Sequence, residues 1–309
     1  MKIIISIVVL VIVTLATQSL KAQQLPLYSQ YMLNGFLMNP AQAGSVDYRP
    51  LRLTARQQWT GIDDAPSTVA ISGHSMLKNN KVGVGGYIYN DKFGPVSQTG
   101  IQASFAYHLN LNKNNSKLAF GLAVSAAQYS MDQRNFNLQV SDPTDQSVTG
   151  AKESSFIPDA NFGMYLYNGK YFVGLSAAQL VQWKINVGTE GNNQLVRHYF
   201  VTAGYKFDLE KTIKGLEFEP SILVKATESS PIQFDVNTKL YYKRNYWLGV
   251  SYRHQDAVIA MIGFKINQYF IGYAYDYTLS NIMNYSSGSH EIMIGINLGE
   301  FANKGSSLL

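Results

Sequence analysis

Lys117–Gln128, KLAFGLAVSAAQ, alternates residue by residue: Leu118, Phe120, Leu122, Val124 and Ala126 share one face, and Ala119, Gly121, Ala123, Ser125 and Ala127 share the other. Period two is the pattern of an extended strand, whose successive side chains point to opposite sides of a sheet. One face is apolar and the other merely small. The alternation returns at Ile101–Leu109, where Ile101, Ala103, Phe105, Tyr107 and Leu109 interleave with Gln102, Ser104, Ala106 and His108. It returns again at Ile232–Leu240 and His290–Leu298. Each such run has one face for lipid or a core and one for a polar lumen, and about ten residues suit a tilted strand crossing a bilayer.

Working outward, runs of this kind make about fourteen strands between Leu51 and Leu298, an even number as in bacterial barrels. The sixth is expected at Ala160–Tyr167 and the fifth to end at Gln128. After even strands the links are short and rich in Asn, Gly or Lys, as in Asn168–Lys170 and Lys243–Asn245, which are hairpin turns. After odd strands they are longer, notably Tyr129–Asp159, Gln179–Val196 and Tyr277–Gly288. Barrels keep short turns in the periplasm and long loops outside, so both termini are expected on the periplasmic side.

Composition agrees with an exported envelope protein. Charged residues are 15% of the 309, against the usual quarter, with 21 Tyr and 25 Gly. Mean hydropathy is only −0.09, and after the first residues no window approaches 18 consecutive apolar residues. Met1-Lys2, the apolar run Ile3–Ala16 and the zone Thr17–Ala22 read as a signal peptide cut near Ala22; a retained anchor helix is the alternative, though the run is short for one. Of 25 Lys and Arg, removal of Lys2 and Lys21 leaves 23 against 20 acids, a mature charge of +3 and no reason to expect nucleic acid as a partner. With no cysteine, disulfides, thiolate chemistry and a lipid anchor on an N-terminal Cys are excluded.

Between the signal and the first strand lies Gln23–Gly44, QQLPLYSQYMLNGFLMNPAQAG. It is aromatic and amidic and does not alternate. Leu33, Phe36 and Leu37 fall at helical spacing, which allows one short helix before Pro40 forces Asn39 to be extended. Either it is an extension lying on a surface, or it plugs the barrel, with Tyr28, Tyr31, Phe36, Asn39 and Pro40 as its packing residues. In the second case it starts from below and folds up into the lumen, its rings resting on small inner residues such as Ala119, Gly121 and Ala123. The division is therefore 1–22 signal peptide, 23–50 plug-like segment, 51–298 outer-membrane barrel and 299–309 tail.

Catalytic and metal patterns are missing. The five histidines have no paired ligand spacing, and no cofactor or metal is expected. Gly83, Gly85 and Gly86 lie in a strand with no following helix, so curvature or close packing of the plug explains them better than a nucleotide loop. Arg52 and Arg56 share the inward face of the first strand and need acceptors, for which the plug amides or Asp63 and Asp64 are candidates; a hydrated, charged lumen is the other reading.

Several stretches together resemble the PorP/SprF family of type IX secretion system outer-membrane proteins from Bacteroidetes. They are LYSQYMLNGFLMNPAQAG at Leu27–Gly44, RQQWTGIDDAPST at Arg56–Thr68, GVGGYIYNDKFGP at Gly83–Pro95, SYRHQDAVIAMIGFKI at Ser251–Ile266 and GYAYDYTLSNIMNYSSGSHEIMIG at Gly272–Gly295. Asp64 stands where the family pattern has Gly. The resemblance implies a non-enzymatic role in exporting or attaching large cell-surface proteins, such as gliding adhesins or their C-terminal domains. It also implies work beside a periplasmic ring and peptidoglycan-binding lipoproteins. Strand parity puts most of these motifs at one rim, expected to face outward. There Trp59, Gly61, Asp63, Pro66, Asp91, Gly94, Pro95, Arg253, Asp256, Asp276, Ser289 and His290 are the candidates for partner binding or loop organisation. A passive channel or fatty-acid-transporter-like barrel is the alternative class. A hydrolase is disfavoured, because Ser289 and His290 alternate to opposite faces of one strand.

Overall fold

Backbone groups in a bilayer must be hydrogen-bonded within the protein, and a sheet achieves this only by closing on itself. A computed structural model describes residues 25–78, 80–111, 115–132, 152–185, 193–228 and 230–299. The expected signal peptide, most of the loop after the fifth strand and nearly all of the tail fall outside these residues.

Fourteen strands pair antiparallel in sequence order. They are β1 Arg49–Gln57, β2 Ser67–Met76, β3 Val82–Phe93, β4 Val96–Asn110, β5 Lys117–Asp132, β6 Lys152–Tyr167 and β7 Tyr171–Ala178. The second half comprises β8 His198–Tyr205, resuming at Phe207–Asp208 after a break at Lys206, β9 Leu216–Thr227, β10 Gln233–Tyr242, β11 Tyr246–Arg253, β12 Ala257–Ile266, β13 Tyr269–Thr278 and β14 Ser289–Leu298. β14 then pairs with β1, from Arg49 opposite Leu298 to Gln57 opposite His290, and the sheet closes. A two-residue ladder, Lys184–Ile185 with Asn193–Gln194, sits in the β7–β8 connection.

The expected alternation divides inside from outside. Leu53, Ile101, Phe105, Leu122, Val124, Ile262 and Ile294 are exposed on the outer face, while their neighbours Arg52, Gln102, Ser104, Ala123 and Met293 are buried. Tyr242, Tyr246 and Tyr269 are exposed near one end of the barrel, and Tyr252, Tyr273 and Tyr277 toward the other. An apolar band between aromatic girdles is the surface of a barrel standing in lipid, and the protein is an outer-membrane barrel. Among the described residues no helix is long and apolar enough to cross a membrane.

Two expectations need correction. β5 and β6 run further than their apolar alternation, pairing up to Asp132 opposite Lys152. Beyond the bilayer a ladder needs backbone partners but no apolar face, so Glu153, Ser154 and Ser155 gave no signal. The N-terminal segment holds no single short helix but three one-turn 3₁₀ pieces, Tyr31–Leu33, Gly35–Leu37 and Pro40–Gln42. Asn34 (φ −146°, ψ 55°) breaks the first from the second, and extended Asn39 caps the third through Ala41 N. Asp64 takes φ 53°, the left-handed geometry for which glycine is the usual residue and Asp an accepted substitute.

Val124→Arg places a charge on the lipid face at mid-height and should cost about 2–4 kcal/mol of barrel stability. Urea unfolding in vesicles checks this; an unchanged midpoint would show that this face does not meet lipid.

Candidate functional site in the barrel lumen

Each inner face carries polar or small side chains, and residues 25–48 run along them. At the end bearing the long connections, Ser29 and Gln30 meet a cluster of charges. Arg56 on β1 bonds Asp276 on β13 at 2.8 Å, reaches Ser29 Oγ at 2.5 Å and lies 3.5 Å from Glu291 on β14. Glu291 accepts the backbone N–H groups of Ser29 at 2.6 Å and Gln30 at 2.9 Å. Ser29 Oγ donates to the Asp276 carboxylate at 2.7 Å. Arg253 on β11 binds Asp235 at 3.1 Å and Asp256 at 3.4 Å, and lies 3.8 Å from Asp276. These groups, Asp256 apart, are essentially inaccessible to solvent. Charges so buried are tolerable only when paired and hydrogen-bonded.

Further along, the Tyr31 hydroxyl donates to Asn237 Oδ1 at 3.0 Å. Lys239 bonds Glu219 at 2.7 Å and Met32 O at 3.3 Å. Asn34 donates to Ser72 at 2.8 Å, Asn39 to Met164 O at 3.0 Å, and Ser176 to Met38 O at 2.7 Å. Two histidines hold the far end. His108 Nε2 meets Ala43 O at 2.8 Å and must be the donor there, so its Nδ1 accepts from Tyr167 OH at 2.9 Å. His74 Nδ1 accepts from Gly44 N at 3.1 Å.

Close approach sets the small residues. A Cβ at Gly83 would collide with Ala43 O, one at Gly121 with Ala41 N, and one at Gly85 would lie 2.8 Å from the Phe36 ring. Thus Gly83 and Gly85 permit contact with the N-terminal segment. On β5 the arrangement differs from expectation: Pro40–Ala41, not the rings of Tyr28, Tyr31 or Phe36, rests on Gly121. Only backbone and a methyl fit against a wall without side chains. Tyr28 and Tyr31 instead join an apolar cluster with Trp247, Phe270 and Met261.

The segment's direction also differs. Ser29 lies with Arg56 and Asp276 toward the long connections, whereas Gly44 packs on Met76 and Gly83 beside the short β2–β3 turn. The chain therefore descends through the described part of the segment and turns into β1 from the short-turn end. Nor do the loop acids serve the arginines: Arg52 donates to Asn297 at 2.6 Å and Arg56 to the strand acids. Asp63 and Asp64 stand exposed in the β1–β2 loop, away from the inner face.

The rim candidates fall into two groups. Asp91, Arg253, Asp276 and Ser289 are buried inside, Asp91 bonded to Thr68 at 2.5 Å and Ser289 Oγ accepting Trp59 N at 3.1 Å. Trp59 and Gly61 take φ of 43° and 103° in the β1–β2 loop, which is tied to the β13–β14 loop through Thr60 N to Gly288 O and Ser287 N to Thr60 O, both 2.8 Å. Gly94 N donates to Asp64 O at 2.9 Å, Pro66 O accepts Gln58 N at 2.8 Å, and Pro95 O accepts Asp132 N at 2.9 Å. His290 faces outward, bonded to Tyr273 OH at 2.6 Å. Ser289 and His290 thus point apart. Among the described residues no group of three His, Asp or Glu is placed to hold a metal. Sequence reasoning missed His74, His108, Asp235, Glu219, Lys239 and Glu291; their inward parity combined with a polar side chain was the signal that marked them.

A family model described as type IX secretion system membrane protein PorP/SprF matches residues 20–296. No curated protein matches the chain. Among solved structures, the monoaromatic hydrocarbon channel CymD aligns with TM-score 0.48 and 12% identity over 85% of this chain and 91% of its own. Omp33 of Acinetobacter baumannii aligns with TM-score 0.46 and 7% identity over 81% and 98%.

Gly121→Val should displace Pro40–Ala41 at an overpacking cost of about 1–3 kcal/mol. Residues 25–48 should then be cut faster by protease in detergent, while Gly169→Val, with open space around it, leaves cleavage unchanged. Equal cleavage of both would show that close approach does not hold the segment. Arg56→Ala strands Asp276 and Glu291 and should cost about 3–5 kcal/mol, read as a lowered urea midpoint.

Proposed function

The chain belongs to the PorP/SprF family of type IX secretion system membrane proteins, and from this we propose that it is a non-conducting barrel that helps export or attach large cell-surface proteins. The family supports a structural or transport part in the secretion machinery. Its clients in this reading are adhesin-like proteins or their C-terminal domains, held at the long-connection rim around Trp59, Gly61, Asp63 and Asp256. Periplasmic ring components and peptidoglycan-binding lipoproteins meet the opposite end. The observation that carries the reading is the burial of Ser29, Gln30, Phe36 and Ala41 against the inner wall: a barrel with that packing has little use as a water-filled pore. In this reading the segment is a plug, residues 1–22 are a removed signal peptide, and no catalysis is involved.

Deletion of Leu27–Gly44 should strongly raise ion conductance in planar bilayers and lower client display at the cell surface, with the barrel still folded, because its strands close their own hydrogen bonds. A silent bilayer after the deletion would show that the segment does not block a pore; high conductance of the intact protein would favour the channel class instead. For orientation, tags in Asn110–Ser116 should be hidden on intact cells and tags in Ser141–Gly150 reachable. The reverse labelling would invert the rims.

A further inference from the structure

A cavity of about 1040 Å³ opens at the short-turn end, beneath Gly44–Tyr48 where the segment turns into β1. Lys117, Lys170 and Lys206 line it, against Asp47 and Glu219. Glu219 is already bound by Lys239 at 2.7 Å and Lys206 lies 3.6 Å from Glu217, which leaves Asp47 as the acid of the lining to offset Lys117, Lys170 and Arg49. Around its mouth, three exposed turns each carry a basic pair: Lys78 with Lys81, Lys211 with Lys214, and Lys243 with Arg244. Asp208 and Glu210 are the exposed acids beside them, and Glu217 is shared between Lys206 and Arg244. Among the described residues the opposite rim shows no such excess, with Asp63, Asp64, Asp132, Glu153, Glu228 and Asp256 against Lys92, Lys152, Lys184 and Arg197.

We infer that this basic cup is a docking site for an acidic polypeptide segment of a partner protein. Lipid phosphates can reach cations on the outer wall, but Lys117 and Lys206 point into the barrel, where a headgroup in the bilayer does not come. The cavity is at the upper end of the range of about 300–1,000 Å³ typical of small-molecule pockets, room for several side chains. Tyr48, Tyr167 and Tyr171 also line it, and tyrosine is enriched at protein interfaces. Like-signed lysines around a concave, low-dielectric wall concentrate the field inside it and steer an anionic partner inward. That the partner is periplasmic rests on the orientation proposed above, but binding by the purified barrel does not, so the two claims fail separately.

The test uses the full-length barrel in detergent and a fluorescein-labelled ten-residue polyglutamate peptide. Saturable binding is expected at low salt. It should weaken about tenfold in Lys117→Glu/Lys170→Glu and fall steeply with added NaCl, as screening requires. Asp63→Asn at the other rim should leave it unchanged. Because the double variant could misassemble, Lys170→Gln, in an exposed turn, should weaken binding in the same direction by about threefold. Absence of saturable binding, or an unchanged Kd in Lys170→Gln, would overturn the assignment. So would loss of peptide binding by the intact protein in phosphatidylglycerol nanodiscs but not in uncharged ones, which would assign the cup to anionic lipid.

Discussion

Arg56 stands at the seam of the barrel. Its strand pairs with β14, where Glu291 is its direct cross-strand partner, and its guanidinium also meets Asp276 of the next strand and Ser29 of the N-terminal segment. One cation thus joins barrel closure to lumen packing. A guanidinium can do this because its planar fork offers several donors at fixed angles, which a lysine ammonium cannot match. With Arg253 and Asp235 beside it, the cluster replaces the water that would otherwise solvate these groups. Each buried charge is acceptable only because the others are present.

The rest of the lumen follows from a geometric constraint. A fourteen-strand barrel is wider than its own side chains can fill, so either water or an additional piece of chain occupies the middle. Here backbone from residues 25–48 comes close to Gly83 and Gly121, and Asn39 reaches carbonyls of β6 and β7 that face it. The segment offers few charges of its own and makes contact mainly through amides, hydroxyls and main chain. Such a surface can be satisfied by the barrel's polar inner wall and could equally be satisfied by water.

At the long-connection end, the β1–β2 loop is tied to the β13–β14 and β3–β4 loops. Thr60 exchanges backbone hydrogen bonds with the β13–β14 loop, and Gly94 bonds back to Asp64. Left-handed residues at Trp59, Gly61 and Asp64 make these crossings possible.

Strand number, the division into inner and outer faces, and the parity of connections were legible in the sequence. The reason is that period-two alternation is a local property, readable wherever a bilayer and a lumen impose opposite demands on neighbouring residues. Leu122 beside Gly121 and Ile294 beside Met293 state their faces without reference to any other strand. The N-terminal segment was recognisable as something that needs a surface, and the glycines of β3 as sites of close approach. Its direction, its three 3₁₀ turns, the seat of Pro40–Ala41 on Gly121 and the partners of Arg52 and Arg56 were not legible. Those depend on contacts between residues distant in the chain, from Ala41 with Gly121 to Ser29 with Asp276, for which a single sequence carries no local signal. Only barrel closure brings β1, β13 and β14 around one point and decides which acid meets which arginine.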